Sequence, residues 1–166
     1  MYKGIKLKNF RNYRETEVVF DKGVHVFSGF NAQGKTNLLE ALFLAVLSKS
    51  FRGANDEEMI SWNEGESYLC VEFQNQLAEH CLNFRLRKEG TRENILNGQS
   101  VKKKDIIGYL NAVLFSPEDL SLIKGSPSGR RRFLDFEISQ TQPVYYRALL
   151  QYHRALYQRN RLLKQI

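Results

Sequence analysis

The chain is poor in the residues that would define several common classes of protein. Its two cysteines, Cys70 and Cys81, are too few for a disulfide framework, and they share no metal-ligand spacing with the three histidines. No run approaches the about 18 consecutive apolar residues that a membrane helix needs. The start of the chain is polar and alternating, unlike a signal peptide. With 166 residues, 42% of them hydrophobic, we expect a soluble, cytoplasmic protein of ordinary domain length without a membrane partner.

Acidic residues are absent from the end of the chain. Residues 139–166 contain no Asp or Glu, whereas the whole chain carries a net charge of +7. The basic side chains of this segment are Arg147, Arg154, Arg159, Arg161 and Lys164. Such a surplus is typical both of a solvated helix face and of a nucleic-acid surface, and composition alone leaves both open.

Hydrophobic periodicity predicts strands in the first part of the chain. Ile5 and Leu7 alternate with lysines, residues 18–20 follow, and residues 24–27 run apolar into Ser28-Gly29. Residues 67–97 predict antiparallel strands, and a hairpin over residues 67–87 that turns near Asn75 and Gln76 would bring Cys70 and Cys81 roughly opposite each other. We favour a packing contact between these thiols over a redox pair.

After residue 115 the apolar residues no longer recur at every second position, as in a strand, but at helical spacing. Asn97-Gly98 predicts a two-residue hairpin turn, and Ser116-Pro117 and Ser126-Pro127 are each typical of a helix start. A long helix with one apolar seam is predicted from Pro143 onward. We therefore predict an α/β protein, with a nucleotide-binding lobe over residues 1–115 and a helical lobe, or the start of a helical arm, over 116–166.

One segment carries specific chemistry. Residues 29–36 fit the pattern G-x-x-x-x-G-K-[ST], follow an apolar run and precede a helical pattern, which is the context that a phosphate-binding loop requires. Two glycines let the backbone N–H groups surround a phosphate, Lys35 reaches the β and γ oxygens, and Thr36 offers a hydroxyl to Mg²⁺. The predicted nucleotide-binding residues are Gly29, Phe30, Asn31, Ala32, Gln33, Gly34, Lys35, Thr36 and Asn37.

The residues that would complete a hydrolytic site are not evident. No apolar run ends in Asp-Glu, and the nearest carboxylates, Asp135 and Glu137, follow three arginines in a helical pattern. We expect this chain alone to bind ATP without hydrolysing it and predict no catalytic residue in it. The absence of N-K-x-D favours adenine over guanine.

Several segments together resemble the RecF family of bacterial recombination mediators, whose ATPase head is related to SMC proteins and ABC ATPases. They are residues 7–13, 29–41, 117–119, 122–123, 125–127 and 130–135. The resemblance implies a P-loop NTPase fold of ABC/SMC-like type, with a mixed sheet, antiparallel hairpins and a C-terminal helical lobe. It implies ATP and Mg²⁺ as ligands, with the metal held through Thr36.

The resemblance also implies roles for residues outside the loop. Arg11 and Asn12 would sit against the nucleotide, and Arg52 would touch the phosphates in cis. Ser116 stands about where related heads carry a glutamine that senses Mg²⁺, and this chain departs from the pattern there. The implied partners of the full-length protein are double-stranded DNA near single-strand gaps, RecR, and a second copy in an ATP-dependent homodimer that helps to load RecA.

Other readings of the basic residues and of the function stay open. Lys102, Lys103 and Lys104 are candidates for contacts to a DNA backbone. Arg130 to Arg132 lie in a helical pattern that also carries Asp135 and Glu137. This pattern favours an ion-pair cluster within the chain over a contact with DNA. The alternative functions are a transporter-type ATPase or small-molecule phosphotransferase that uses the same loop, and a non-catalytic fragment that binds DNA or protein.

Overall fold

The computed structural model describes residues 1–116 and 125–165. Two compact units are formed, Met1–Leu110 and Asn111–Ile166. The predicted helix start at Ser116-Pro117 falls largely on residues 117–124 and so lies outside the described residues, as do residues 117–119 and 122–123 of the family resemblance. Among the described helices, none has the length and hydropathy of a membrane span.

The first unit is built on a six-stranded sheet in the order β2-β1-β3-β4-β5-β6. The strands are β1 (Tyr2–Phe10), β2 (Tyr13–Val19), β3 (Glu66–Gln74), β4 (Glu79–Arg87), β5 (Glu93–Leu96) and β6 (Gln99–Ser100). Every strand pair within the described residues is antiparallel. Alternation places the apolar side chains on one face, where Ile5 lies opposite Val71 and Leu7 opposite Leu69, and all four are buried.

The predicted hairpins are confirmed. In the β3–β4 hairpin, Leu69 pairs with Phe84 and Val71 with Leu82. At the β5–β6 turn, Asn97 and Gly98 both have positive φ, 50° and 82°, which is the conformation that a tight two-residue hairpin requires.

The strand predicted at residues 24–27 is wrong. These residues have no regular secondary structure, and the side chains of Val24 and Val26 are 93% and 83% exposed. A strand needs a neighbour that accepts and donates its backbone hydrogen bonds, and no strand of the described residues pairs with this segment. Hydrophobicity alone therefore gave the wrong structure here.

One buried helix joins the sheet to the candidate site. Helix α1 (Lys35–Leu47) carries the apolar run that the sequence predicted, and Leu38, Leu44 and Val46 are buried. It packs against β3 and the short helix α2 (Lys103–Ile106). A 3-10 turn, Glu57–Met59, lies between α1 and β3.

Two helices that pack on each other form the described part of the second unit. They are α3 (Pro127–Thr141) and α4 (Pro143–Leu162), and each begins with proline at its first turn. The predicted start at Ser126-Pro127 is confirmed, although the Ser126 side chain makes no cap hydrogen bond. The carboxylate of Asp135 accepts a hydrogen bond of 2.5 Å from the Tyr145 hydroxyl, a partner that the predicted ion-pair cluster did not include.

The two cysteines meet across the β3–β4 hairpin. Their Sγ atoms lie 3.3 Å apart, as the sequence predicted from the turn. In register, however, Cys70 lies opposite Asn83 and Cys81 opposite Glu72, so the thiols are diagonal neighbours. Burial is the main reason that the pKa of Cys70 rises to about 12.

We expect the Cys70 thiol of the folded chain to resist alkylation near pH 8. A pKa of about 12 leaves roughly a thousandfold less thiolate than in an unperturbed cysteine, and the thiolate is the reactive form. Mass spectrometry after timed iodoacetamide treatment, with the urea-unfolded chain as control, measures the difference. Equal labelling rates in both states would contradict the prediction.

Candidate nucleotide site

The backbone of the phosphate loop has positive φ at three positions, a conformation that glycine adopts most readily. Gly29 has φ 146° and Gly34 has φ 105°, and Ala32 between them is also left-handed, with φ 64°. Successive turns of this kind direct backbone N–H groups inward and create a concave surface for an anion. The described conformation of residues 29–34 therefore fits the function that the motif predicts.

The loop ends at the N-terminus of α1. Gly34 is the N-cap residue and offers no side-chain hydrogen bond, and the first turn of the helix contains no acidic residue. The N–H groups of this turn and the positive end of the helix dipole consequently face the loop without a competing side chain. Thr36, the second residue of α1, is exposed beside them.

Lys35 bends back over the loop that precedes it. Its Nζ donates to the backbone oxygens of Gly29 and Phe30, each at 2.8 Å. The ammonium charge is thereby held beside the backbone of the loop. An ammonium in this place can neutralise phosphate oxygens bound by the same loop.

The β1–β2 turn supports the loop from outside. Asn12 Nδ2 donates to the Gln33 carbonyl at 3.1 Å, and the Tyr13 hydroxyl donates to the Gly34 carbonyl at 3.1 Å. Asn37 Nδ2 in turn donates to Asn12 Oδ1 at 2.9 Å. Desolvation raises the pKa of Tyr13, which keeps its phenol protonated as a donor.

A buried carboxylate lies behind the loop. Glu40 on α1 is fully buried and accepts two hydrogen bonds from Arg11, from Nε at 2.9 Å and from Nη2 at 2.8 Å. Arg11 Nη1 donates to the Glu58 carbonyl at 2.6 Å. Ser50 donates to Glu40 Oε1 at 2.5 Å. Each end of the Arg11 guanidinium is therefore held by protein atoms.

Arg52 is the second guanidinium of this cluster. Its Nη1 donates to Asn37 Oδ1 at 3.0 Å and lies 3.8 Å from Glu40 Oε2. Its side chain is 47% exposed, compared with 20% for Arg11. Arg52 is thus the more accessible of the two cations beside the loop.

The structure brings most of the predicted residues together. Arg11, Asn12, Asn37 and Arg52 all belong to one hydrogen-bonded network with Glu40. The lysines at 102–104 are exposed at the start of α2, where Lys103 Nζ lies 3.6 Å from Asp56 Oδ2.

Sequence reasoning missed three members of this arrangement, Tyr13, Glu40 and Ser50. A usable signal existed for Glu40 alone, because it is the one acidic residue in the apolar run of α1.

The loop, the helix that it precedes and the antiparallel sheet define a P-loop nucleotide-binding protein. The family model described as "AAA domain" matches residues 4–162. The chain belongs to this family.

Within it, the predicted resemblance to RecF is confirmed. The chain is 44% identical over 163 residues to the DNA replication and repair protein RecF of Clostridium tetani, covering 98% of this chain and 44% of that protein. A solved structure of the recombination mediator protein RecF-ATP in the RecFOR pathway superposes with a TM-score of 0.94, at 38% identity, over 99% of this chain and 45% of that one.

The predicted ABC/SMC-like fold class is confirmed as well. An SMC ATPase structure superposes with a TM-score of 0.66 at 22% identity, covering 81% of this chain and 98% of that chain. This likeness concerns the fold alone. The chain spans less than half the length of the curated relatives that it matches.

Proposed function

We propose that this chain is the ATP-binding part of a DNA replication and repair protein of the RecF type. The observation that carries the proposal is the phosphate loop, in which two left-handed glycines precede a helix N-terminus without a side-chain cap and the Lys35 ammonium bonds back to the loop backbone. The similarity to the solved structure of RecF-ATP supports the choice of nucleotide.

Different residues of the site bind different parts of Mg²⁺-ATP. Backbone N–H groups of residues 29–35 bind the β-phosphate, and Lys35 neutralises the β and γ oxygens. The exposed Thr36 hydroxyl is an oxygen donor of the kind that Mg²⁺ prefers. Arg52, half-exposed beside the loop, contacts the phosphates. Asn12 and Arg11 act by holding the loop and the network behind it.

For the whole protein we propose that ATP closes a homodimer on double-stranded DNA near single-strand gaps. RecR would be recruited there and RecA loaded afterwards. In this scheme ATP holds the dimer closed, because the dimer binds ATP more tightly than ADP.

A nucleotide titration followed by a DNA mobility-shift assay tests the proposal. Mg²⁺-dependent binding of an ATP analogue, combined with a DNA shift by the whole protein that requires the analogue, is the expected result. Transfer of phosphate to a small acceptor would instead indicate a phosphotransferase. A DNA shift that is indifferent to nucleotide would indicate a non-catalytic binding module.

We expect Lys102→Glu combined with Lys104→Glu to weaken DNA binding by the whole protein. Both side chains are exposed at the junction of β6 and α2, and each lost phosphate contact lowers the salt slope of binding by up to about one. Lys103→Glu should have less effect, since Lys103 already lies beside Asp56.

Lys22→Glu combined with Lys88→Glu, at two exposed sites outside the helices and strands, is the matched control for the change of charge. Binding is measured by fluorescence anisotropy over a salt series. An unaltered slope in the double variant would move the DNA surface elsewhere, in the first place to the basic helix α4.

A further inference from the structure

The position of Glu40 in α1 is unusual for an acidic side chain. It is fully buried, and its neighbours along the helix, Ala41 to Val46, are apolar and buried. Burial of a carboxylate is unfavourable unless it is paired, and a buried ion pair contributes little net stability compared with apolar residues of the same volume. We therefore expect Glu40 to matter for the positions of the residues that it binds more than for the stability of the fold.

That geometry joins two segments on either side of the phosphate loop. Glu40 receives Arg11 from the β1–β2 turn and Ser50 from the segment after α1. The Ser50 hydroxyl oxygen also accepts a hydrogen bond of 3.1 Å from the backbone N–H of Arg52. Through Ser50, Glu40 consequently fixes the position of the Arg52 backbone. Glu40 Oε2 also lies 3.8 Å from the Arg52 guanidinium.

The charges in this cluster are unequal. One carboxylate faces two guanidiniums, and Arg11 occupies both carboxylate oxygens. Arg52 has a neutral hydrogen-bond partner in Asn37 and a longer contact with Glu40. The surplus positive charge therefore resides on the more exposed arginine, beside the loop, where an anion would meet it.

The same arginine is linked to the backbone of the loop. Arg52 donates to Asn37, Asn37 donates to Asn12, and Asn12 donates to the carbonyl of Gln33. Displacement of Arg52 would withdraw one hydrogen bond from this relay. The buried carboxylate is in this way connected to the phosphate loop without touching it.

We propose that Glu40 is a positioning residue of the phosphate site: it binds Arg11 as a fixed counter-ion and so leaves Arg52 placed and charged for the phosphates. This inference rests on the proposed function, since it assumes that the loop binds a nucleotide. Glu40 itself contacts no phosphate and acts through Arg52.

A double-mutant cycle separates positioning from a merely structural role. Dissociation constants for a non-hydrolysable ATP analogue are measured by calorimetry for the chain and for Glu40→Gln, Arg52→Gln and the double variant. Each single change should weaken binding about tenfold, and the double variant should be no weaker than about tenfold, because Glu40 acts through the side chain already removed. A purely structural effect would be additive and give about a hundredfold loss.

A milder variant covers the case in which Glu40→Gln fails to fold. Ser50→Ala removes the hydroxyl that joins Glu40 to the Arg52 backbone and leaves the Arg11 pair intact. It should weaken binding severalfold in the wild-type background and not at all in the Arg52→Gln background. Glu66→Gln, which loses the 2.8 Å pair with Arg85 on the sheet, is the matched control and should bind as the wild type does.

The outcomes distinguish this inference from the function on which it rests. If the wild type shows no binding that depends on Lys35, the proposed function fails and the inference with it. If binding depends on Lys35 but the effects of Glu40 or Ser50 add to that of Arg52, the inference alone is overturned.

Discussion

Lys35→Ala is expected to weaken binding of an ATP analogue by about a hundredfold. The variant removes a cation that lies over the loop, within 2.8 Å of two of its backbone oxygens, and a charge-assisted contact of this kind is worth up to about 3 kcal/mol. Lys35 supports the fold little, because its two hydrogen bonds lie in an exposed loop. The melting temperature without nucleotide should therefore change little.

Calorimetric titration and thermal melting measure the two quantities. Lys8→Ala, at an exposed position of β1, is a suitable control for the loss of one lysine. Unchanged affinity of the Lys35 variant would reject the loop as the nucleotide site.

Gly34→Ala is expected to weaken nucleotide binding and to lower stability by about 2–3 kcal/mol. Gly34 has φ 105°, which an L side chain rarely adopts, and an added Cβ would lie 2.7 Å from both polar atoms of the Asn12 amide. That amide is not free to retreat, because it holds the Gln33 carbonyl and accepts a hydrogen bond from Asn37. The methyl group would displace the contact that fixes the loop.

Gly23→Ala is the matched control for this prediction. Gly23 has a similar φ of 120°, but nothing lies within 4 Å of the added Cβ. It should show the backbone strain alone, and Gly34→Ala should be the more destabilising of the two in chemical denaturation. Equal losses of stability in the two variants would mean that Asn12 yields without cost and does not fix the loop.

Local patterns were sufficient where a short segment fixes its own conformation. The left-handed glycines of the loop, the Asn97-Gly98 turn and the proline at the start of α3 are each determined by residue types that allow few alternatives. The motif of residues 29–36 was identified in the same way, since its chemistry depends on adjacent residues. Periodicity also identified β3 and β4, which pair with each other in one hairpin.

Periodicity failed where a segment depends on residues far away in the chain. Residues 24–27 have the composition of a buried strand, yet Val24 and Val26 are exposed, because no strand of the described residues lies beside them. Hydrophobicity shows that a segment can be buried. It does not show whether another strand is available to pair with that segment.

By itself, the sequence determined the phosphate loop, the helix that follows it and the antiparallel hairpins, because these depend on contacts between residues close in sequence. Only the tertiary structure decided what surrounds the loop. Arg11 and Ser50 are brought to the Glu40 carboxylate by the packing of the β1–β2 turn and the segment after α1 against the same helix. The physical reason is that a buried charge must find its partners in space, and their separation along the chain leaves no periodic signal.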